Sequence, residues 1–192
     1  MSRTDIRAAT SDDLDAITAI YSDAVTNGTA SYELEAPSRA DMALRFQALS
    51  DGGFPYIVAV DASGQIAGYA YAGPFRPRPA YRFIVENSVY VAPRSKSQGI
   101  GKLLLQTLLD EAQALGFRQM IAVIGDGSPD SSSVRLHEAL GFRHCGRLEG
   151  SGYKHGRWLD TVFMQIAMNG GAQGEPDPAS LPERRFREKL RP

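Results

Sequence analysis

Residues 86–105, ENSVYVAPRSKSQGIGKLLL, change in character twice within a short distance. A β-branched and aromatic run at 89–91 stops before Pro93, a polar turn with two glycines follows, and an apolar helical pattern begins at Ile100. This order of strand, glycine turn and helix suits a phosphate, because the first turn of a helix presents unpaired N–H groups at the positive end of its dipole. Glycine lets that backbone approach an anion closely.

Two nucleotide-binding motifs are excluded by individual residues. A P-loop needs glycine where Lys96 stands and serine or threonine where Leu103 follows Lys102. A dinucleotide-binding fingerprint needs a third glycine three places after Gly101, where the chain has Leu104. From these residues alone, a tight turn before an amphipathic helix, with no ligand, stays open as an alternative.

Composition bounds the classes of protein that fit. The chain has 192 residues, of which 43% are hydrophobic and 22% charged, as expected of one globular domain with a real core. A net charge of −1 provides no basic field for nucleic acid or an anionic membrane, and we expect neither as a partner. The single cysteine, Cys145, excludes an internal disulfide and is expected to be buried. The polar N-terminus and short apolar runs lead us to expect a cytoplasmic protein.

Periodicity predicts the elements of the chain. Strands are predicted at 6–8, 56–60, 65–71, 82–92, 120–124, 142–148 and 159–167, and helices at 11–26, 38–49, 100–115 and 133–140. Glycine-rich residues 150–156 are predicted to form the turn between the last two strands. Proline, glycine and charge dominate after Gly170, so we expect a domain over 1–169 and a flexible tail over 170–192, disordered or lightly docked.

The hexapeptide at 96–101, KSQGIG, resembles the Gln/Arg-x-x-Gly-x-Gly/Ala loop of the GNAT superfamily of N-acetyltransferases, with Lys96 in the place of Gln or Arg. In that family the loop binds the pyrophosphate of acetyl-CoA. The order β-α-α-β-β-β-α-β-α-β-β is also that of the family, and the resemblance covers about residues 4–168. It implies an α/β (α+β) fold whose mixed central sheet is splayed at strands 4 and 5 and flanked by helices.

Four further blocks resemble phosphinothricin N-acetyltransferases and their methionine sulfoximine or methionine sulfone acetylating relatives. The blocks are VENSVYV at 85–91, AVIG at 122–125, VRLHEALG at 134–141 and GYKHGRW at 152–158. The resemblance implies acetyl-CoA as co-substrate, a small amine as substrate and a homodimer that forms through the C-terminal strands. No metal is expected, since the three histidines and one cysteine lack short paired spacing.

The resemblance also assigns residues to acetyl-CoA. An extended pantetheine arm would pair with the unpaired backbone of the splayed strand, much as an added strand does. The implied contacts are Val89, Tyr90, Val91, Lys96, Ser97, Gln98, Gly99, Ile100, Gly101, Lys102 and Asp130. Asp130 stands where the family usually has an asparagine, and an ionised carboxylate cannot donate the hydrogen bond that an amide can.

Acetyl transfer to an amine needs a base, because an α-amine with a pKa of about 7.7–8.0 is protonated much of the time at pH 7. Glu86 lies on the splayed strand, three residues before Val89, and the resemblance makes it the general base. The alternative for Glu86 is a surface charge or salt bridge. His137 is the second candidate, as a relay for the amine proton or as the acid for the departing thiolate. A structural, hydrogen-bonded histidine is equally open.

Substrate contacts come from the resemblance as well: Arg76, Pro77, Arg78, Glu86, Asn87 and Ser88. Arg76 and Arg78 suit a carboxylate of an amino-acid-like molecule. We therefore expect an acetyl-CoA-dependent N-acetyltransferase that acts on the α-amine of a phosphinothricin-, methionine sulfoximine- or methionine sulfone-type substrate by direct transfer in a ternary complex. The alternatives are a protein N-terminal or lysine acetyltransferase and a non-catalytic acyl-CoA sensor.

Overall fold

Seven strands form one mixed sheet in the computed structural model, which describes residues 4–128 and 130–190. The strands are β1 Asp5–Ala8, β2 Tyr56–Val60, β3 Ile66–Pro74, β4 Ile84–Val91, β5 Gln119–Gly125, β6 Arg143–Lys154 and β7 Arg157–Ala167. The helices are α1 Leu14–Asn27, α2 Arg39–Asp51, α3 Ile100–Ala114, α4 Ser132–Glu138 and α5 Leu181–Lys189. The strands lie in the order β1-β2-β3-β4-β5-β7-β6. The predicted order of elements is confirmed, and α5 is added to it.

The sheet forks between β4 and β5, its only parallel pair within the described residues. The two strands are paired from Ile84 with Gln119 to Asn87 with Ala122, and the pairing ends there. Residues 88–91 of β4 stay paired with β3 on their other side. The predicted splay is therefore confirmed, and it leaves backbone groups on one edge of β4 without a strand partner.

Side chains alternate along β4 and so belong to two different layers. Val85, Val89 and Val91 pack on the face covered by α3, where Leu104 and Leu108 are fully buried. Tyr90 faces the opposite layer, below α1 and α2, where it joins a stack of aromatic rings. Each fully buried leucine stabilises the fold by about 1.5–3 kcal/mol, so α3 fixes β4 firmly beside the fork.

The last two strands differ from the sequence-based prediction. They form one long hairpin, in which β6 continues to Lys154 and β7 begins at Arg157. The turn consists of His155 and Gly156, both with positive φ. Such a two-residue turn matches the twist of the strands. Gly150, at φ 54°, lies where the register of β6 shifts, so it serves an irregularity in the strand and not the turn.

Cys145 was expected to be buried, and this prediction is wrong: its side chain is exposed. The reason is its place on β6, which forms the edge of the sheet. Almost every residue of β6 is exposed, and β7 is its one strand partner within residues 4–128 and 130–190.

Part of the segment after Gly170 contacts the rest of the domain. The backbone N–H of Leu181 donates to the Leu115 carbonyl (2.9 Å), and Ser180 and Pro182 are buried. Glu183 forms an ion pair with Arg82 (3.0 Å), which ties α5 to the segment before β4. The domain boundary at 169 stays a prediction.

Candidate active site

A cleft of about 940 Å³ opens where β4 and β5 separate. Its walls are the free edge of β4, the end of β5, the start of α3, α4 and the loop that follows α1. Along β4 the cleft runs from Val91, next to the α3 start, to Glu86, a length of about 16 Å at 3.3 Å per residue. The cleft therefore joins a helix N-terminus to a carboxylate through an unpaired strand edge.

The start of α3 is an open anion cradle. Gly99 precedes the helix with φ 81°, no side chain caps the first N–H groups, and the first turn carries no acidic residue. Ser97 also has a positive φ of 61°, which turns the loop towards the helix end. Lys96 and Lys102 line the cleft beside these amides. Uncapped N–H groups, the helix dipole and two cations together fit a pyrophosphate.

Two of the residues predicted to bind acetyl-CoA are placed differently from the rest. The Gln98 side chain donates to the Arg94 carbonyl (3.0 Å) and does not line the cleft, so it braces the loop. Asp130 lines the cleft mouth with a fully exposed side chain, 4.0 Å from Arg135. The remaining predicted contacts all line the cleft: Val89, Tyr90, Val91, Lys96, Ser97, Gly99, Ile100, Gly101 and Lys102.

At Tyr90, the free edge of β4 presents main-chain groups to the cleft and not the side chain. Its ring is held in the aromatic layer, edge-on to Tyr21 (5.0 Å between centroids) and stacked on Tyr69 (5.2 Å). At Tyr90, only main-chain groups therefore face the gap. An extended chain of amides, such as a pantetheine arm, can pair with such an edge.

Glu86 lies half-buried at the other end of the cleft. Burial raises the pKa of its carboxyl. None of the described residues donates a hydrogen bond to it, so its lone pairs are available to a ligand. The neighbouring Tyr71 lines the same end, and its own pKa is raised by burial and to a smaller extent by charges that include Glu86. An accessible carboxylate of raised pKa suits a general base.

His137 is buried on the other side of the fork. Its Nδ1 lies 2.7 Å from the Ser133 carbonyl oxygen, and its Nε2 lies 3.0 Å from Asn87 Oδ1. The Phe142 ring contacts the imidazole edge-on at 4.8 Å. Burial lowers the pKa of His137, and the Ser133 carbonyl opposes that shift. The ring is thus held rigidly and still lines the cleft.

The two candidate catalytic groups lie on opposite faces of the sheet. Glu86 and Asn87 are neighbours on β4, so their side chains point to opposite sides, and Asn87 is the one that contacts His137. The gap between β4 and β5 lies between the two faces. A thioester in that gap would have a base on one side and a proton donor on the other.

The predicted substrate contacts fall into two groups. Glu86, Asn87 and Ser88 line the cleft, whereas Arg76, Pro77 and Arg78 line a second cavity of about 470 Å³ against α5. In this second group, Arg76 stacks over Phe75 (5.1 Å) and Phe75 packs on Tyr81 (6.0 Å).

Sequence reasoning missed the network that closes the Glu86 end of the cleft. The Tyr21 hydroxyl bonds Ser31 Oγ and Glu33 Oε1, both at 3.0 Å. Lys154, buried within the long hairpin, donates to the Ser31 carbonyl (2.7 Å), and burial lowers its pKa. From the sequence, Tyr21 was predicted only as one residue on the apolar face of a helix. Lys154 was noted only as part of the block at 152–158 that resembles the family. No spacing in the sequence indicates that they meet.

Over residues 4–128 and 130–190, no group of three or more His, Cys, Asp or Glu side chains is arranged to hold a metal ion. In the same ranges no helix combines the length and apolar character needed to span a bilayer.

A sheet forked at its parallel pair, followed by an amide-lined helix start, defines a class of acyl-CoA-dependent acyltransferases. Comparison with known families agrees: the model of the acetyltransferase (GNAT) domain matches residues 6–163. The chain belongs to the GNAT acetyltransferase family and is an N-acetyltransferase by its relatives.

Among its relatives are proteins of the predicted subfamily. The chain is 46% identical over 172 residues to phosphinothricin N-acetyltransferase of Alcaligenes faecalis, covering 90% of this chain and 86% of that protein. It is 42% identical over 164 residues to L-methionine sulfoximine/L-methionine sulfone acetyltransferase of Pseudomonas paraeruginosa, covering 85% and 94%. A crystal structure of a Sinorhizobium meliloti phosphinothricin acetyltransferase with acetyl-CoA superposes with a TM-score of 0.91 at 50% identity, covering 94% and 96%. The resemblance stated from the motifs is confirmed.

Proposed function

We propose that the protein transfers the acetyl group of acetyl-CoA to the α-amine of a small amino-acid-like molecule of the phosphinothricin, methionine sulfoximine or methionine sulfone type. The observation that carries the proposal is Glu86: a half-buried carboxylate that accepts no hydrogen bond from any described residue, in the same cleft as the anion cradle. The names of the relatives at 46% and 42% identity support the substrate class.

Each part of the cleft has one task in this proposal. Acetyl-CoA supplies the acetyl group as a thioester, with its pyrophosphate at the α3 start. Glu86 takes the proton of the amine, directly or through one water. The backbone N–H of Val89 or Tyr90 binds the developing oxyanion, a contact worth about 2.7–4 kcal/mol when preorganised. His137 returns a proton to the thiolate.

The position of the only cysteine supports direct transfer in a ternary complex. Cys145 is exposed on the edge strand β6 and does not line the cleft, and burial of its surroundings raises its pKa. A thiol of raised pKa is a poor nucleophile at neutral pH. No acetyl-cysteine step is therefore part of the proposal.

Arg76, Pro77 and Arg78 stay proposed substrate contacts. Gly73 pairs with Glu86, and Arg76 follows three residues later, two residues beyond the end of β3, so its backbone lies within about 10 Å of Gly73 at 3.3 Å per residue. A flexible arginine can span much of that distance towards a substrate carboxylate. A homodimer, a cytoplasmic location and the lack of nucleic-acid partners also stay predictions.

A thiol-release assay tests the proposal. The protein is mixed with acetyl-CoA and phosphinothricin, methionine sulfoximine, methionine sulfone or methionine, whose thioether lacks the polar oxygens and makes it the matched control. We expect turnover with the first three and a lower kcat/KM for methionine. Turnover with peptide amines alone would replace the proposal with a protein acetyltransferase. Binding of acetyl-CoA without turnover of any amine would replace it with a sensor.

A further inference from the structure

Both ring nitrogens of His137 face hydrogen-bond acceptors. Nδ1 lies 2.7 Å from the Ser133 carbonyl oxygen, an acceptor that cannot donate, so Nδ1 carries a proton. The Ser133 hydroxyl, at 3.5 Å, is the weaker contact of that nitrogen. Nε2 lies 3.0 Å from Asn87 Oδ1, also an acceptor. All these contacts are favourable only if Nε2 carries a proton as well.

The orientation of the Asn87 amide follows from its second contact. Asn87 Nδ2 donates to the Ile121 carbonyl oxygen at 3.1 Å, and the side chain is buried. If the amide were turned round, its NH₂ group could donate to a neutral Nε2. Its oxygen would then face the Ile121 carbonyl oxygen at hydrogen-bond distance, an unfavourable contact between two acceptors that leaves Asn87 Oδ1 without a donor. The charge of His137 and the orientation of Asn87 are therefore coupled.

We propose that Asn87 is a positioning residue that holds His137 with a proton on each ring nitrogen and ties this charge to the fork of the sheet. The last β4–β5 pair is Asn87 with Ala122, and the amide bonds β5 one residue before that point. The proposal deepens the proposed function and rests on it for its catalytic meaning.

In the reaction, Nε2–H gives up its hydrogen bond to Asn87 Oδ1, the N–H bond breaks and an S–H bond forms, while the electron pair of the cleaved C–S bond stays on sulfur. The neutral ring then points a lone pair at Asn87 Oδ1, an unfavourable contact that favours recapture of a proton. The proton that Glu86 has taken from the amine balances this recapture through solvent. Asn87 thus resets the acid after each turnover without touching either substrate's reacting atoms.

Charged groups on the surrounding elements do not account for a cationic ring. On β4 the nearest one, Glu86, points to the other face, and β5 carries no charged residue. On α4, Glu138 bonds His144 (3.0 Å) and Arg135 points to Asp130. On α3, Lys102 is exposed. Burial beside Phe142 acts against the charge, since it lowers the pKa of His137. The Ser133 carbonyl opposes that shift, and Asn87 Oδ1 is the second acceptor that favours the cation.

Side-chain ¹⁵N NMR of the full chain across pH tests the proposal. The chain has three histidines, and a His137→Gln variant assigns the signal. The pair Asn87→Leu and Asn87→Asp is matched, because both lose the bond to Ile121 and only Asp keeps an acceptor at Nε2. Removing a hydrogen bond to a charged group corresponds to about one to two pKa units. We therefore expect the pKa of His137 to fall by about that amount in Asn87→Leu and to rise in Asn87→Asp.

Equal pKa values of His137 in the Leu and Asp variants would overturn the proposal. So would a wild-type ring that is neutral at pH 7, with its single proton on either nitrogen, a result that needs no variant to fold. Phe142→Leu is the control for burial alone, and it should leave the pKa unchanged or raise it. These spectra do not depend on turnover. If the protein is inactive but shows the expected spectra, only the proposed function is refuted. If it is active but lacks those spectra, only this inference is refuted.

Discussion

Replacement of Glu86 by glutamine separates its catalytic role from its structural one. The amide keeps the shape of the side chain and removes the base. A positioned general base contributes about 10²–10⁴-fold, so we expect kcat to fall by that factor with the Kd of acetyl-CoA unchanged. The cradle that holds acetyl-CoA lies about 16 Å away along β4, which is why binding should be spared.

The pH profile sharpens this prediction. Burial raises the pKa of Glu86, so wild-type kcat/KM should fall as pH drops through that raised value, where the carboxylate becomes protonated. Replacement of Glu86 by a residue that does not titrate, such as Asn or Gln, should abolish this acidic limb of the pH profile. We expect the thiol-release assay on Glu86→Gln to show no such limb.

Stability should change in the opposite direction from activity. The folded protein binds a proton to Glu86 more tightly than the unfolded chain does, so wild-type stability falls as pH rises from the ordinary pKa through the raised one. Glu86→Gln lacks this loss and should have the higher Tm at pH 7, with no such advantage in acid. An unchanged kcat, or a lower Tm at pH 7, would refute the reasoning.

Three further variants test the cradle, the substrate site and the docking of α5. Gly99→Ala places an alanine in the left-handed region, with no heavy atom within 4 Å of its Cβ. Urea unfolding should therefore show a loss of stability of about 1–2 kcal/mol from backbone strain, together with a raised KM for acetyl-CoA. The control is Gly64→Ala, equally open at φ 80° in the β2–β3 turn, which should lose the same stability without the change in KM. Arg76→Ala should raise KM for the amine several-fold with the Kd of acetyl-CoA unchanged, and equal KM values would remove Arg76 from the substrate site. Glu183→Gln leaves Arg82 without its ion pair, so Tm should fall slightly; an unchanged Tm would mean that this ion pair does not stabilise the docking of α5.

The fold was predictable where a pattern is local. Val89–Val91 before Pro93 and the glycines after it indicate strand, turn and helix without any knowledge of partners. The signals for α5 were also present, since Ser180 before Leu181 and Pro182 is a typical helix start. Composition hid them, because prolines and charges around the helix indicated a tail.

Features that depend on distant residues were not predictable. Cys145 is exposed because β6 is an edge strand, and the order of strands in a sheet is not written in the residues around a cysteine. Asn87 and His137 meet across 50 positions of sequence. Their hydrogen bond requires both the fork and the helix α4. The sequence could therefore identify His137 as a candidate but could not predict its hydrogen-bond partners.

The most direct test of the account is a crystal structure of the protein with coenzyme A and methionine sulfone. The account predicts the pyrophosphate on the amides at the α3 start, the pantetheine arm along residues 88–91 of β4, and the substrate amine within hydrogen-bond distance of Glu86 or of a water bound to it. Coenzyme A bound outside the fork, or the amine on the His137 face of the sheet, would contradict it.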